Sequence, residues 1–530
     1  MSYFPKSLFR VAGGAFIVVV LAPPLLLLAE AVFWGGGHGT TAFLRAMWLD
    51  HRQWGLLARS FQLATLATML AALFAIPYAV VTTCTNLAGK GFFRVAYLSP
   101  LLVPPYLQGI AWESLLLGGA GPSLGTALDS GWWRFCGAAV ALAAAYYPFL
   151  ALLTIGGLDG VERRYEEAGV VVRGVGPTFW KVTLPLAAPH VLAGVVFVFV
   201  FSLMDFGIPD LFRLRVFPVE VFVQFSGLYN ERAAVALSVP FLGIAAVLVW
   251  IQAYWMRERR YVGFAAGGTG RLGQDLGGWR WALSLAPGVV LLITAGVPLG
   301  FIVANASGAG GLVAVLRSSW HTLWFNAGLA LVAAAAATGL ALPIGLRLVR
   351  GPSRGRLLWD ALTQVPFAVP ALLVGIAVIR LWNRPATAWL YEGWGILVVG
   401  YLARILPFCV RTVTSSLHQV HWDLEAAAIV ARKGYWTTLS RIVVPLNAHG
   451  LLTSFFVAFV LAFGDLGVSL LVVPPGASTL LIKVYNYLHY GSMEDVANLA
   501  GLLLIVQWVA VGAFFLVWKR LGTGWEARRC

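Results

Sequence analysis

The sequence predicts an all-α, polytopic membrane protein with about 12 transmembrane helices arranged as two parallel six-helix repeats. Three observations support this fold class. The 530-residue chain is 60% hydrophobic and 11% charged, whereas a soluble globular domain carries about 25% charged residues. Apolar runs long enough to cross a bilayer recur along its whole length. Two sets of six such runs also share residues at matched positions.

The basic residues lie in short loops between the apolar runs, although the formal net charge of +15 would also suit a nucleic-acid partner. A nucleic-acid binder concentrates its Lys and Arg on a soluble face. Short basic loops between apolar runs are instead typical of the cytoplasmic side of membrane proteins. We therefore expect the lipid bilayer, and no nucleic acid, as a partner.

Twelve candidate spans follow from the requirement for about 20 mainly apolar residues across a bilayer core of about 30 Å. The first follows Lys6 and Arg10 and is longer than the apolar region of a secretory signal, about 7–15 residues. We interpret it as an uncleaved span, with a signal peptide as the alternative. The predicted spans are 11–33, 56–83, 92–117, 136–156, 190–212, 233–256, 281–304, 321–349, 357–380, 394–416, 450–473 and 496–519.

The two sets of spans align position by position, which indicates an internal duplication. Between them, 257–280 is rich in Arg and Gly and has no apolar periodicity, so it is predicted to be a linker. The predicted domains are a six-helix half 1–256, this linker, and a second half 281–530. The matched positions are Pro77 and Pro343, Pro100 and Pro366, Pro104 and Pro370, Gly109 and Gly375, Pro148 and Pro407, Pro185 and Pro445, Asp205 and Asp465, and Gly207 and Gly467.

The distribution of charge predicts the orientation of the chain. With six spans in each half, both halves have the same orientation. A cytoplasmic N-terminus places about 24 Lys and Arg residues in or beside cytoplasmic segments and about 11 outside, in agreement with the positive-inside rule. We therefore expect both termini to lie in the cytoplasm.

A polar, basic loop follows the fourth span of each half and has the same design in both. Its acidic start with small residues favours a helix, a Gly beside a basic residue permits a turn at positive φ, and a later Pro predicts the end of a second short helix. Such a segment is not needed to span a membrane, so we interpret it as a contact for a soluble partner. The residues are Glu166, Glu167, Ala168, Arg173, Gly174, Lys181 and Pro185 in the first loop, and Glu425, Ala426, Ala427, Lys433, Gly434, Arg441 and Pro445 in the second.

These loops resemble the coupling loops of ABC importer permeases, whose pattern is Glu-Ala-Ala, three residues, Gly, and later a hydrophobic residue with Leu-Pro. The first loop departs from it with Glu-Glu-Ala-Gly, and in both loops the Gly comes two or three residues late. The resemblance implies a type I ABC importer permease-like fold in the bacterial inner membrane. It also implies two ATP-binding subunits, forming a homodimer, on the loops, and a periplasmic or lipid-anchored solute-binding protein. It implies no cofactor.

The fusion of two six-span halves is similar to the ferric-iron permeases and to their relatives for thiamine and phosphonates. The Asp205-Phe-Gly207 step and the run 471–491 resemble the iron branch most. Ferric iron is therefore the solute that the resemblance implies, and thiamine, a phosphonate or another small solute are the alternatives.

Two carboxylates at equivalent places in the fifth spans of the halves are candidates for a translocation pathway. An ionised carboxylate near the middle of a membrane costs about 2.5–3.5 kcal/mol and usually faces a bundle interior or water. Asp205 and Asp465 therefore either line a cation path or gate, or form hydrogen bonds that cap or bridge helices. Prolines in the third spans either loosen the backbone beside a cavity or act as simple kinks. The candidate pathway or gate residues are Asp205, Gly207, Asp465, Gly467, Pro104 and Pro370.

Neither catalysis nor metal binding is indicated. The sequence has no Gly-x-x-x-x-Gly-Lys-Ser/Thr, so the chain is not predicted to hydrolyse ATP by itself or to be an enzyme. His418 and His421 lie one helical turn apart without a third ligand nearby, so no metal site is predicted. The competing hypothesis is an ion-driven secondary transporter in which Asp205 and Asp465 carry the coupling ion.

Overall fold

The structure, a computed structural model, consists of helices joined by turns, with no β-strand in the part of the chain that it describes. The predicted all-α class is therefore confirmed. Most of the predicted linker, 258–274, lies outside the described part. The described residues are 6–33, 50–118, 131–257, 275–351, 353–363, 366 and 369–526.

Eight helices within these described ranges are long and apolar enough to cross a membrane. Each coincides with a predicted span, because only a helix pairs every backbone N–H of a single apolar segment inside lipid. These spans are the first, Ser7–Leu27, the second, His51–Cys84, the fourth, Gly131–Asp159, the fifth, Val175–Met204, the seventh, Gly277–Asn305, the eighth, Trp320–Arg350, the tenth, Gly395–Leu417, and the twelfth, Met493–Leu521.

The other four predicted spans are shorter, bent or broken helices. The sixth is Glu231–Arg257, which contains Pro240 and whose apolar segment, Ala233–Leu248, is shorter than the eight long spans. The eleventh consists of Tyr435–Leu446 and Ala448–Phe463, which are bent by 71° at their junction. The third and ninth spans are interrupted, and their pieces are Lys90–Ala96, Ser99–Leu102 and Pro105–Leu117 for the third, and Ser353–Leu362 and Ala371–Trp382 for the ninth.

Prolines determine where the third and ninth spans are interrupted. Pro104 has φ −51° and ψ 142°, and Pro370 has φ −56° and ψ 144°, so both are extended directly before a helix. The proline ring and its missing N–H prevent a preceding helix from continuing through such a position. Pro104 O accepts from Gln108 N at 3.1 Å, and Pro370 O accepts from Val374 N at 3.0 Å. Both prolines therefore mark helix starts, not simple kinks, and their carbonyls bond within the new helix.

The chain folds into two compact units that differ from a division at the predicted linker. One unit is Thr41–Ala304, and the other is Met1–Thr40 together with Asn305–Cys530. The seventh span thus packs with the first six-helix half, and the first span packs with the second half. The division of the sequence into halves 1–256 and 281–530 stays a prediction.

Specific contacts hold these exchanged spans in their units. In the seventh span, the carbonyl of Thr294 accepts a hydrogen bond from Gln108 Nε2 at 2.8 Å. In the first span, the ring of Phe9 packs edge to face on Trp359 at a centroid distance of 4.9 Å. Because both contacts join residues far apart in sequence, no local pattern predicts them.

Small residues bring the spans of the Thr41–Ala304 unit close together. Gly194 of the fifth span lies so near Leu150 of the fourth that an added Cβ would be 2.5 Å from its Cδ1 and 3.1 Å from its Cα. In lipid, helices gain little hydrophobic energy from association, so close van der Waals packing holds them together. Fully buried alanines also line the second and fourth spans of this unit, and they are Ala64, Ala67, Ala71 and Ala75 in the second and Ala138, Ala139, Ala141, Ala143 and Ala144 in the fourth.

We predict that Gly194→Ala lowers the thermal stability of the detergent-purified protein, because the new methyl group collides with the Leu150 backbone. Overpacking of this kind costs about 1–3 kcal/mol. The matched control is Gly243→Ala, since a Cβ at Gly243 would have no atom within 4 Å. Equal unfolding temperatures for the two variants would contradict the prediction.

Candidate functional site

The loop between the fourth and fifth spans is a helix, a glycine and a second helix. The first helix is Arg163–Arg173, and the second begins at Val175 and continues as the fifth span. Gly174 joins them with φ 78° and ψ 173°. Only glycine occupies this region of backbone conformation without strain. We call residues 163–185 the first loop.

The two helices of the first loop pack closely on each other through a buried acid and a glycine. Thr183 Oγ1 donates to Glu166 Oε1 at 3.0 Å, and this contact is buried. A Cβ at Gly169 would lie 2.6 Å from Thr178 Cγ2. Glu166 therefore points into the loop, and the outward surface is formed by other residues.

The corresponding second loop, residues 422–445, turns at a different residue. Its first helix is Trp422–Val430, and Arg432 has φ 53°. Lys433 N donates to Ala428 O at 3.0 Å, a bond that typically closes a helix whose next residue is left-handed. Gly434 has φ −66° and ψ 156°, so the positive φ predicted at Gly434 is wrong. The physical reason is that the second loop has one more residue between Glu425 and Gly434 than the first loop has between Glu166 and Gly174.

The glycines nevertheless begin the second helix in the same way in both loops. Gly174 O accepts from Thr178 N at 3.3 Å and from its hydroxyl at 2.7 Å. Gly434 O accepts from Thr438 N at 3.0 Å and from its hydroxyl at 3.3 Å. In each loop the glycine is the N-cap residue, and its carbonyl accepts the first hydrogen bond of the helix. The alignment of Gly174 with Gly434 is therefore supported by local geometry.

Pro185 does not end the second helix as predicted, whereas the helix of Pro445 ends one residue after it. The helix that contains Pro185 continues to Met204, and the helix that contains Pro445 ends at Leu446. A wider π-helical turn precedes each proline, at Phe179–Thr183 and Leu439–Val443. In a π-helical turn each backbone hydrogen bond spans five residues instead of four. The carbonyl with which a proline ring would collide in a regular α-helix is thereby displaced.

Apolar and basic side chains form the outward surface of both loops. Val171 is 87% exposed and Val430 is 85% exposed, although each is a large hydrophobic residue that water solvates poorly. Trp180 and Trp436 are also exposed, although they lie at different positions of the second helix, since Ser440 corresponds to Trp180. Of the predicted site residues, those at the surface are Glu167, Ala168, Arg173, Gly174, Lys181, Pro185, Ala427, Lys433, Gly434 and Arg441, and Ala426 is half-buried.

The acid of the second loop has an arginine partner that the sequence did not indicate. Glu425 is completely buried, and Arg350 Nε donates to its Oε1 at 3.1 Å. Burial raises the pKa of the Glu425 carboxyl, and the charge and hydrogen bond of Arg350 partly oppose that rise. Arg350 is one of several basic residues at the end of the eighth span, and nothing in the sequence distinguishes it from the others.

Asp205 and Asp465 each cap a short helix that follows the fifth span of its half. Asp205 Oδ1 accepts from Ile208 N at 2.9 Å, and Asp465 Oδ2 accepts from Val468 N at 3.0 Å. The capped helices are Gly207–Leu211 and Ser469–Val472. Gly207 allows a close approach, since a Cβ there would lie 3.1 Å from Tyr106 Cδ2, and Gly467 is buried.

The side-chain partners of the two aspartates differ in charge. Tyr146 OH donates to Asp205 Oδ2 at 2.7 Å. Asp465 Oδ1 instead forms an ion pair with Arg404 Nη1. Tyr146 lies on the fourth span and Arg404 on the tenth, and each of these spans directly precedes the loop of its half. The same cap is therefore completed by an ion pair in one half and by a hydrogen bond from a hydroxyl in the other.

We predict that Gly174→Ala opens the first loop whereas Gly434→Ala leaves the second unchanged. Alanine at φ 78° and ψ 173° costs about 1–3 kcal/mol, whereas the Gly434 conformation is open to any residue. Amide hydrogen exchange of the loop helices measures this, since opening speeds exchange. Equal exchange in the two variants would contradict the assigned turn geometry.

We predict a larger loss of stability for Arg404→Gln than for Tyr146→Phe. Loss of the arginine leaves the buried Asp465 carboxylate without its counter-charge, at about 3–5 kcal/mol, whereas loss of the hydroxyl removes one hydrogen bond to a carboxylate, at about 1.5–3 kcal/mol. Thermal unfolding in detergent measures both. Arg404→Lys is the control that keeps the charge, and the reverse order of stabilities would overturn this account.

Comparison with known proteins agrees with a transport function. Residues 337–521 match the family described as the inner membrane component of binding-protein-dependent transport systems. The chain is 24% identical over 488 residues to the ferric transport system permease protein FbpB of Actinobacillus pleuropneumoniae, covering 87% of this chain and 70% of that protein.

Further relatives include permeases with other named solutes. The Fe(3+)-transport system permease protein FbpB 2 of Haemophilus influenzae is 22% identical over 440 residues, covering 81% of this chain and 82% of that protein. The putative 2-aminoethylphosphonate transport system permease protein PhnV of Salmonella typhimurium is 23% identical over 158 residues, which is 30% of this chain and 59% of that protein. Together with the apolar helices, these matches support a multi-pass inner-membrane protein that is similar to the permeases of ABC importers.

Proposed function

We propose that the chain is the translocating subunit of a bacterial ABC importer whose two loops dock ATP-binding subunits. The observation that carries this proposal is the repeated surface of the loops, with Val171 and Val430 exposed at equivalent places beside basic residues. Each loop buries its acid and exposes apolar side chains, an arrangement that suits binding to a protein partner. ATP hydrolysis then takes place on the partners, since the chain has no phosphate-binding loop motif.

The proposed orientation places both loops and both termini in the cytoplasm. The positive-inside rule supports it. Two ATP-binding subunits, forming a homodimer, would then occupy the two loops. A periplasmic or lipid-anchored binding protein would deliver the solute at the opposite face.

Ferric iron is the proposed solute. Its support is the names of relatives that align with most of the chain, which are ferric transport permeases. The phosphonate permeases align with only 30% of it. Thiamine, a phosphonate or another small solute remain the alternatives within the same class.

The capped turns and the helix starts of the third and ninth spans are the proposed pathway or gate. Gly109 and Gly375, at equivalent places in these spans, pack against the short helices that the aspartates cap, since a Cβ there would lie 2.7 Å from Leu211 Cδ1 or 2.9 Å from Leu471 Cδ1. Movement of one helix therefore displaces the other. The proposed residues are Asp205, Gly207, Asp465, Gly467, Pro104 and Pro370.

We predict that Val171→Glu and Val430→Glu each reduce ATP hydrolysis stimulated by the permease, and ATP-dependent uptake of ferric iron into proteoliposomes, by about tenfold. A charge at the centre of an apolar contact removes more than about 1 kcal/mol of binding energy. The assay uses the permease reconstituted with its ATP-binding subunit and binding protein. Because both valines are exposed, the variants should fold normally.

The matched control is Tyr490→Glu, an equally exposed residue that lies beyond the opposite end of the eleventh span. Wild-type stimulation by both valine variants would argue against docking at the loops. Uptake of thiamine or a phosphonate in place of iron would keep the docking role and change the solute. Uptake that survives ATP depletion and collapses with an uncoupler would favour a secondary transporter.

A further inference from the structure

We propose that Arg350 is a positioning residue that ties the second loop to the ends of the eighth and tenth spans, so that this loop moves both spans directly. The inference rests on the proposed docking role of the loops. It adds that the second half has a buried arginine in this route at a position where the first half has a cysteine.

Arg350 contacts three segments of the chain at once. It is the last residue of the eighth span, and its Nε donates to Glu425 of the loop helix at 3.1 Å. Its Nη2 donates to the carbonyl of Leu417, the last residue of the tenth span, at 3.5 Å, and to the carbonyl of Val420. The planar guanidinium has five donors in a fixed geometry, so one side chain fixes the loop helix relative to two spans.

Burial makes this tether difficult to open. The side chain of Arg350 is 11% exposed and that of Glu425 is 0% exposed. The guanidinium also lies 5.8 Å from the ring centre of Trp422 on the loop helix, a favourable position for a cation. Separating the pair would leave a buried charge without its partner, which is costly. The loop helix and the span ends should therefore move together.

The first half cannot form this tether. The offset of 266 residues between Pro77 and Pro343 places Cys84 at the position of Arg350, and a cysteine cannot form an ion pair with the acid of the first loop. That acid, Glu166, accepts a hydrogen bond from Thr183 within the loop itself. Position 84 of the first half therefore supplies no counterpart of the Arg350 ion pair.

The path from loop to following span also differs between the halves. In the first half, Val175–Met204 is one helix, so the second helix of the loop and the fifth span form a continuous rod. In the second half, the corresponding helices are bent by 71° at Asn447, whose side-chain amide is buried and has no hydrogen-bond partner. A bend transmits displacement along a helix poorly, which leaves the Arg350 contacts as the direct route into the second half.

The test compares Arg350→Gln, Glu425→Gln and the double variant, first in the isolated permease and then in the complex with its ATP-binding subunit. In the isolated permease we expect hydrogen exchange in Trp422–Val430 to rise about tenfold in each variant while exchange in Arg163–Arg173 is unchanged. In the complex we expect the ATP-binding subunit to remain bound. The amount of solute transported per ATP should fall roughly 3- to 30-fold.

The controls separate positioning from general stability. The double variant should be no worse than either single variant, because both substitutions break the same contact. Arg350→Lys keeps the charge but not the fork that reaches both carbonyls and carboxylate, and should be better coupled than Arg350→Gln. Arg411→Gln, which breaks the Arg411–Asp360 pair of the same unit at 2.8 Å without touching the loop, should leave transport per ATP unchanged.

Three results would overturn the inference. Unchanged exchange in Trp422–Val430 would show that Arg350 does not hold the loop. Transport per ATP at the wild-type level in all three variants would show that the tether has no role in coupling. Failure of the wild-type permease to bind any ATP-binding subunit would remove the docking role itself, and the exchange measurement distinguishes that failure from the other two.

Discussion

The absence of water in the bilayer core is the constraint on which the rest of this structure depends, because every backbone N–H and C=O there must find a partner in the protein. The long spans meet it as continuous helices. Where a helix is interrupted, either a side chain accepts from the backbone N–H groups or a proline, which has no N–H, stands at the position. Asp205 and Asp465 supply carboxylate oxygens to the N–H groups of the helices they cap, and Pro104 and Pro370 begin helices at positions that need no donor.

The fold class and the position of both loops could be predicted from sequence, because apolar run length and repeated residues are local properties of the chain. The partner of Glu425 could not, since Arg350 lies 75 residues away and resembles its basic neighbours. The turn at Arg432 depends on one additional residue, which moves the left-handed position away from Gly434. The continuation of a helix through Pro185 depends on a π-helical turn that no spacing of residues reveals.

The two halves share their aspartate caps and the glycine start of the second loop helix, while the side chains that complete such contacts differ. Equivalent caps are completed by the hydroxyl of Tyr146 in one half and by the guanidinium of Arg404 in the other. Equivalent acids are held by Thr183 in one loop and by Arg350 in the other. The backbone positions of these caps and acids are therefore more alike between the halves than the side chains that contact them. Charge could change wherever a different donor still satisfied the same acceptor.

The first span packs with the second half and the seventh span with the first half, and this arrangement has a consequence for biosynthesis. The first span enters the bilayer before any other helix of its unit exists, because the rest of that unit starts at Asn305. Conversely, Thr41–Ala304 is complete only after the seventh span has been inserted. Neither half of the sequence is therefore a self-sufficient folding unit. A ribosome that stops between the halves leaves one unit without its last helix and the other with only its first.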